Sequence, residues 1–198
     1  ILSTLPSAAV GALLALMLRS GAKVQTDSRL VEEGDIFVAL SGENFDAHDF
    51  LPQVSEKKAL AAVVSKCQEN LGMPQILVDN TEKALQVMAK AWRSCFNLPV
   101  IAVAGSNGKT TTKEMVAAIL MTHVGEEHCI ATRGNLNNHI GVPLSLLQLN
   151  PEHRAAVFEL GMNHPGEIAI LADMVQAQVA LITNAQREHQ EFMKSVAA

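Results

Sequence analysis

Short apolar runs and longer amphipathic stretches take turns along this chain. The runs GDIFVAL (34–40), LAAVVSK (60–66), QILVDN (75–80), VIAVA (100–104), AAVFELG (155–161) and VALITN (179–184) have strand length, so each predicts a β-strand. AHDFLPQVSEKKA (47–59), TEKALQVMAKAWRSCF (81–96), KTTTKEMVAAILMTH (109–123) and GEIAILADMV (166–175) predict helices. In the second of these, Leu85, Met88, Ala89 and Trp92 share one face and Thr81 is placed to cap the start. In the third, Met115/Ile119 and Val116/Leu120 fall in register. Strand and helix alternate throughout, which is the pattern of an α/β fold. After residue 100 the helices serve as crossovers between strands, and this requires a parallel sheet.

A new run of strands starts after the helix that follows Asn80, so the chain divides into segments 1–80 and 81–198. No internal repeat or low-complexity tract is visible. The opening ILSTLPSAAVGALLALML (1–18) is uncharged. No Lys or Arg precedes it, as a signal peptide would need, and it is only marginally long enough to span a bilayer. Leu13, Leu14, Met17 and Leu18 fall at helical spacing, so a short buried helix is expected.

Composition narrows the reading. With 198 residues and 48% hydrophobic side chains, one domain or two small ones can build a real core. A net charge of −5 and a pI near 5.8 argue against a nucleic-acid grip built on a basic face. Cys67, Cys95 and Cys129 are scattered and odd in number. They fit neither a disulfide framework nor a zinc spacing, which points to a reducing cytosol. The chain begins at Ile1 and ends on EFMKSVAA, which reads like a helix cut partway, so a fragment of a longer protein is expected.

Ligands of open parallel sheets bind at the carboxyl ends of the strands. Three polar clusters sit there: GSNGKTT (105–111), ELGMN (159–163) and TNAQREH (183–189). A strand that turns directly into a helix leaves N–H groups that attract anions. Gly105 and Gly108 allow the backbone, with Ser106 and Asn107 between them, to curl so that its N–H groups face inward. Lys109 adds a point charge for β- and γ-phosphates, and Thr110 or Thr111 can place a hydroxyl on Mg²⁺. Each charge-assisted hydrogen bond contributes roughly 1.5–3 kcal/mol, so several together would hold a triphosphate. The general phosphate-loop pattern would have glycine at 103, where this chain has Val103. A nucleoside triphosphate and Mg²⁺ are the ligands these residues suit.

Glu159 ends an otherwise apolar strand. A carboxylate there is costly without a partner, and a hard cation such as Mg²⁺ suits it. His189 follows the last strand and can reach the same crevice. The remaining histidines (48, 123, 128, 139, 153, 164) show no ligand spacing. TRGNLNNHIGVPLSLL (132–147) is a dense polar loop before an apolar helix, and its asparagines suit helix capping and ligand binding equally.

GSNGKTTTKEM (105–115), GNLNNHIGVPLSLL (134–147), ELGMNHPGEI (159–168) and TNAQREH, in this order, resemble the Mur ligases of bacterial cell-wall synthesis. TDSRLVEEGDIFVALSGENFDAHDF (26–50) resembles the amino-terminal, UDP-binding domain of the same family. The resemblance runs from about residue 26 to the end. It implies a small amino-terminal α/β UDP-binding domain (1–80), followed by part of a P-loop-type parallel-sheet ATPase domain (81–198). The GNLNN and ELGMN blocks point to the branch that adds D-alanyl-D-alanine to UDP-N-acetylmuramoyl-tripeptide. The implied reaction phosphorylates the tripeptide's terminal carboxylate with ATP, and the dipeptide amine attacks the acyl phosphate.

Carried over by resemblance, Lys109 would hold the γ-phosphate, Thr110 would ligate one Mg²⁺, and Glu159 and His189 would ligate the magnesium ions. Asn138 would lie at the substrate crevice. Ser28 and Arg29, with Asn44, Asp46 and His48, would line the nucleotide part of the UDP substrate. The family's modified lysine would lie just beyond Ala198, and its third domain is missing, so these 198 residues alone are expected not to turn over. A cytoplasmic monomer without nucleic-acid partner or membrane insertion is expected. The alternatives are a sibling ligase that adds a diamino acid, or a nucleotide-binding module without catalysis.

Overall fold

Each half of the chain builds a four-stranded, all-parallel sheet. The computed structural model describes residues 7–42 and 45–185. The chain divides into two units, Ile1–Ala91 and Trp92–Ala198.

The first unit opens with α1 (Ser7–Ser20). Val10, Leu13 and Met17 form its buried face, a spacing of one helical stripe. Leu18, expected on that stripe, is 54% exposed. Among the described residues no helix is long and apolar enough to cross a membrane. Next come β1 (Val24–Gln25), β2 (Ile36–Val38) and the hairpin of β3 (Ser41–Gly42) with β4 (Phe45–Asp46). A 3₁₀ turn at Ala47–Phe50 leads into α2 (Leu51–Glu56), then β5 (Ala61–Val64), β6 (Gln75–Leu77) and α3 (Thr81–Arg93).

The sheet order is β1-β2-β5-β6, so the large sheet is wound in one direction only. Phe37, Ala62 and Val64 on the strands pack with Leu51 and Val54 of α2 in the core. The helix expected over 47–59 is thus two pieces. The Asp46 carboxylate caps the first by accepting from the His48 N–H, Pro52 sits at the start of the second, and Lys58 ends it at φ +58°. The start of α3 is capped by Asn80, whose Oδ1 accepts from the Lys83 N–H at 2.8 Å. The cap therefore lies one residue before Thr81. The expected face of Leu85, Met88, Ala89 and Trp92 is buried. The division between units falls inside α3, whereas the sequence pattern breaks at that helix's start.

The second unit runs β7 (Val100–Ala104), α4 (Lys109–Val124), β8 (Cys129–Ala131), α5 (Gly141–Leu146), β9 (Ala155–Glu159), α6 (Glu167–Val175) and β10 (Val179–Ile182). Its strand order, β10-β7-β9-β8, reverses direction around β7. β8 is the strand that sequence did not predict, being only three residues, CIA.

Helix α4 packs on one face of the sheet through Ala117, Val116 and Leu120 against Val103 and Val157. Phe158 and Ala156 alternate to the other side of β9 and are buried; α5 and α6 contact each other, β9 and β7. Met115 and Ile119 form the expected i,i+4 pair but face outward, at 63% and 69% exposure. The face that meets the sheet carries Lys113 and Ala117 instead. Arg93 is buried and ties the unit's start to the end of α6, donating to Val175 O at 2.9 Å, Gln176 O at 3.4 Å and Phe96 O at 2.7 Å. Burial pushes its pKa down, and the carboxyl end of a helix is a favourable place for the charge.

Candidate functional site

The reversal of strand order puts the loop after β7 between the ends of β9 and β10, the position where ligands collect in open parallel sheets. Gly105 has φ +130° and Gly108 φ +78°. The second stands immediately before α4 as a left-handed residue, which lets the four-residue loop turn straight into the helix. A Cβ on Gly105 would overlap the Thr183 hydroxyl.

That closeness belongs to a latch. The Ser106 N–H donates to Asn184 O at 3.1 Å. The Asn107 N–H donates to Asn184 Oδ1 at 2.9 Å, and Asn107 O accepts from Thr183 Oγ1 at 2.6 Å and Asn184 Nδ2 at 3.3 Å. So the N–H groups of Ser106 and Asn107 turn towards the end of β10, unlike the sequence expectation that they face a ligand. The N–H groups of Lys109, Thr110 and Thr111 open α4 and have no carbonyl one turn back in the helix, so they are the loop's anion-facing set. Lys109 Nζ lies over the loop, donating to Ser106 O at 2.7 Å.

Glu159 closes the site from the next strand. It is 2% exposed. Its Oε2 accepts from Thr110 Oγ1 at 2.9 Å and its Oε1 from Asn137 Nδ2 at 2.8 Å. Both partners are neutral, and among the described residues no cationic side chain pairs with it. A buried carboxylate with neutral donors alone, beside a hydroxyl, is an oxygen set that suits a hard cation. Among the described residues no three His, Cys, Asp or Glu side chains gather as a metal cluster; Glu159 and Thr110 are the candidate ligands there. His189 lies outside the described residues.

The two adjacent asparagines differ. Asn137 reaches the carboxylate, and its carbonyl accepts from the Gly161 N–H at 2.8 Å. Asn138 Oδ1 accepts from the N–H groups of Ile140 and Gly141, at 3.1 and 2.8 Å, and so caps the start of α5. The ELGMNHPGEI block also splits: Glu159 belongs to the site, while Glu167 accepts from the N–H groups of Asn163 and His164 ahead of α6.

In the first unit the expected UDP-contacting residues fall into two clusters, both following carboxyl ends of strands. After β1, Asp27 binds the exposed Arg29 guanidinium at 2.6 Å, and Lys57 Nζ donates to Ser28 O and Arg29 O at 3.0 and 2.8 Å. The Arg29 guanidinium pulls the Asp27 carboxyl to about 2. After β2 and β5, Asp46 binds Lys66 Nζ at 2.7 Å, Ser41 Oγ at 2.9 Å and His48 Nδ1 at 2.6 Å. Lys66 first, then the His48 N–H, hold the Asp46 carboxyl well below the usual carboxylate range.

His48 is fully buried. Its Nε2 accepts from the Ser65 N–H at 2.9 Å, so in the neutral ring Nδ1 carries the proton and donates to Asp46. Ser65 Oγ is 3.3 Å from Nε2, which gives the outline of a Ser-His-Asp triad. The backbone N–H already occupies the lone pair a general base would need, so the cluster is not arranged to activate Ser65. Phe45 and Phe50 stack beside it at 5.6 Å with exposed faces. Asn44 lies outside the described residues.

Residues 103–198 match the Mur ligase middle domain family. The chain is 46% identical over 166 residues to the UDP-N-acetylmuramoyl-tripeptide–D-alanyl-D-alanine ligase of Synechocystis sp., covering 83% of this chain and 36% of that protein. It is 44% identical over 174 residues to the enzyme of that name from Escherichia coli, covering 88% and 38%. The crystal structure of MurF from Acinetobacter baumannii superposes with TM-score 0.82 at 43% identity, covering 88% of this chain and 38% of that one.

The chain belongs to the Mur ligase family.

It spans little more than a third of the length of the curated Mur ligases it matches. Mur ligase structures extend the likeness. MurF from Thermotoga maritima, solved in complex with ADP, superposes with TM-score 0.80 at 31% identity and covers 92% of this chain and 41% of that one. A diaminopimelate-adding Mur ligase shares the fold alone, with TM-score 0.53 at 20% identity. Within this Mur ligase chain the structure brings Lys109, Thr110, Glu159 and the loop glycines together and sets Asn138 to capping. It adds Thr132, which sequence reasoning missed, and separates Asn137, bonded to Glu159, from the other asparagines of the loop. Neighbouring asparagines carry no signal that separates them, and Thr132 opens the polar loop just after β8, a strand too short to be read from sequence.

Proposed function

We propose that this chain carries the substrate-binding and nucleotide-binding parts of an ATP-dependent ligase that adds D-alanyl-D-alanine to UDP-N-acetylmuramoyl-tripeptide in peptidoglycan precursor synthesis. The observation that carries the reading is the 2.9 Å bond from Thr110 Oγ1 to the buried Glu159 carboxylate, which joins a phosphate loop to an acidic oxygen set at the reversal of the sheet. The names of the relatives and the ADP held by the Thermotoga maritima protein support it.

In this reading the phosphates of ATP lie at the start of α4, on the N–H groups of Lys109, Thr110 and Thr111. Lys109 Nζ leaves Ser106 O for the β- and γ-phosphate oxygens. Gly105, Ser106, Asn107 and Gly108 form the wall of the loop, held from β10. The terminal carboxylate of the tripeptide attacks the γ-phosphorus; an O–P bond forms, the bond to the β-phosphate oxygen breaks, and ADP leaves. The amine of D-alanyl-D-alanine then attacks the acyl carbon, loses a proton and expels phosphate.

Charge builds on the phosphoryl oxygens, where a fixed lysine and fixed N–H dipoles stabilise it most. Thr110, Glu159 and His189 would hold Mg²⁺, which would supply positive charge against the developing charge of the phosphoryl oxygens. Asn137 orients Glu159, and Asn138 shapes the adjoining crevice through the start of α5. Ser28, Arg29, Asn44, Asp46 and His48 line the UDP part of the substrate. ATP and UDP substrates place the reaction in the cytoplasm, and a monomer is expected.

The test is phosphate release by the natural protein containing this chain. MgATP and UDP-N-acetylmuramoyl-tripeptide are supplied with and without D-alanyl-D-alanine. Release that needs both substrates supports the ligase. Release that ignores the dipeptide, or that occurs only with a free diamino acid and UDP-N-acetylmuramoyl-dipeptide, assigns the chain to another activity.

A further inference from the structure

Lys113 is 1% exposed, although Glu114 and Met115 just after it face solvent. It stands one turn after Lys109 on α4 and points into the unit, where burial of an ammonium is costly unless each donor finds an acceptor. Its Nζ donates to the buried carbonyl of Thr132 at 2.9 Å and pairs with the carboxylate of Glu114, which is itself mostly exposed. A salt bridge with an exposed partner does not require a lysine to be sunk against a sheet. The bond to Thr132 is the one that burial protects.

Thr132 is a junction. It is 2% exposed and all its polar groups are used. Its N–H donates to Val157 O at 3.1 Å, its Oγ1 accepts from the Glu159 N–H at 2.9 Å, and its carbonyl accepts from Lys113. Residues 133–140 leave from it and deliver Asn137, whose amide donates to Glu159 Oε1 and whose carbonyl accepts from the Gly161 N–H. The end of β9 is therefore gripped on both sides of Glu159: before it by Thr132, after it by Asn137. Lys113 fastens this clamp to the same helix whose first turn supplies Lys109 and Thr110. The loop and the carboxylate are thus referenced to one rigid element.

We propose that Lys113 and Thr132 are positioning residues that fix the Glu159 carboxylate for its divalent cation. The proposal rests on the nucleotide-site reading above. Both side chains are buried away from the loop's surface, so their loss is expected to leave metal-free nucleotide binding intact and to weaken the contribution of the cation. A role in folding alone lowers thermal stability but leaves that contribution unchanged.

The experiment measures ADP dissociation constants by calorimetry on the natural protein containing this chain, in EDTA and in saturating Mg²⁺. The ratio of the two constants is the readout. Lys113→Met and Thr132→Val are expected to reduce the Mg²⁺-dependent tightening at least tenfold, with the EDTA constant within twofold of the parent. Thr132→Ser keeps the hydroxyl and is expected to restore the ratio. An unchanged ratio in Thr132→Val overturns the proposal, as does a loss that Thr132→Ser fails to restore. If Lys113→Met does not fold, the Thr132 pair decides. A parent protein that binds no ADP overturns the nucleotide-site reading instead. One that binds ADP without any help from Mg²⁺ overturns the positioning proposal.

Discussion

The two parallel sheets of this chain have four strands each, yet they present polar residues in different ways. In the first unit the strand order β1-β2-β5-β6 follows the chain, and the polar clusters at the strand ends pair mostly among themselves: Asp27 with Arg29, Asp46 with Lys66 and His48. In the second unit the order β10-β7-β9-β8 doubles back, and residues far apart in sequence meet over one strand end. Thr110 and Glu159 are 49 positions apart, and Asn107 and Asn184 are 77 apart. A sheet wound one way offers a rim of local turns, whereas a reversal opens a crevice with walls from separate connections. The first arrangement suits recognition of a substrate's outlying part; the second suits chemistry.

Four tests, built on six substitutions, sharpen or break this contrast, the largest effect first. Lys109→Met removes the loop's lysine charge, and phosphate release is expected to fall about 10²–10³-fold; retention of activity within tenfold would remove the second sheet's claim to the chemistry. Gly105→Ala forces a Cβ into the Thr183 hydroxyl at a φ of +130°, and thermal unfolding should show a loss of about 1–3 kcal/mol together with weaker ADP binding. Gly34→Ala in the first unit has the same kind of φ, +89°, but open space around the new Cβ, so about 1 kcal/mol of strain is expected with no change in ADP binding.

The asparagine pair comes third. Asn137→Ala leaves the buried Glu159 carboxylate short of a donor and is expected to cost about 1–3 kcal/mol, read as weaker Mg²⁺ dependence. Asn138→Ala removes a helix cap, costs about 1 kcal/mol of stability, and leaves the Mg²⁺ dependence nearly unchanged.

The smallest effect is in pH. Folding lowers the Asp46 carboxyl below its ordinary 3.8, through Lys66 first and the His48 N–H next. A carboxyl lowered by folding contributes stability above its unfolded value, and that stability is lost as pH falls through the folded one. The first unit should therefore weaken below about pH 4. Lys66→Met should move the Asp46 titration, followed by carboxyl-carbon NMR, upward towards 3.8. An unmoved titration would mean that the pair contributes nothing.

What sequence made legible follows the range of the interactions involved. Strands such as AAVFE and the buried face of α3 depend on local periodicity, and they formed where expected. The nucleotide loop was legible because strand, glycines, lysine and helix are contiguous. Local competition displaced the details: Asn80 outcompeted Thr81 for the α3 cap because its side chain reaches the Lys83 N–H. The register of Met115 with Ile119 was legible but not the direction the pair faces, because periodicity gives spacing but not phase. The phase of α4 follows from its first turn at the loop and from the bond of Lys113 to Thr132, neither of which a hydropathy pattern contains. A lysine four residues before Ala117 and three before Val116, on the inward stripe, was the available signal.

The latch between Asn107 and Asn184 also bears on how this loop could be reused. Its curvature is set by the tail end of another strand, with both backbone groups of Asn107 engaged by the Asn184 side chain. The eleven letters GSNGKTTTKEM are therefore not a portable cassette. Grafted after a foreign strand without a threonine and an asparagine at the tip of its neighbour, they would keep their charge and lose their mould.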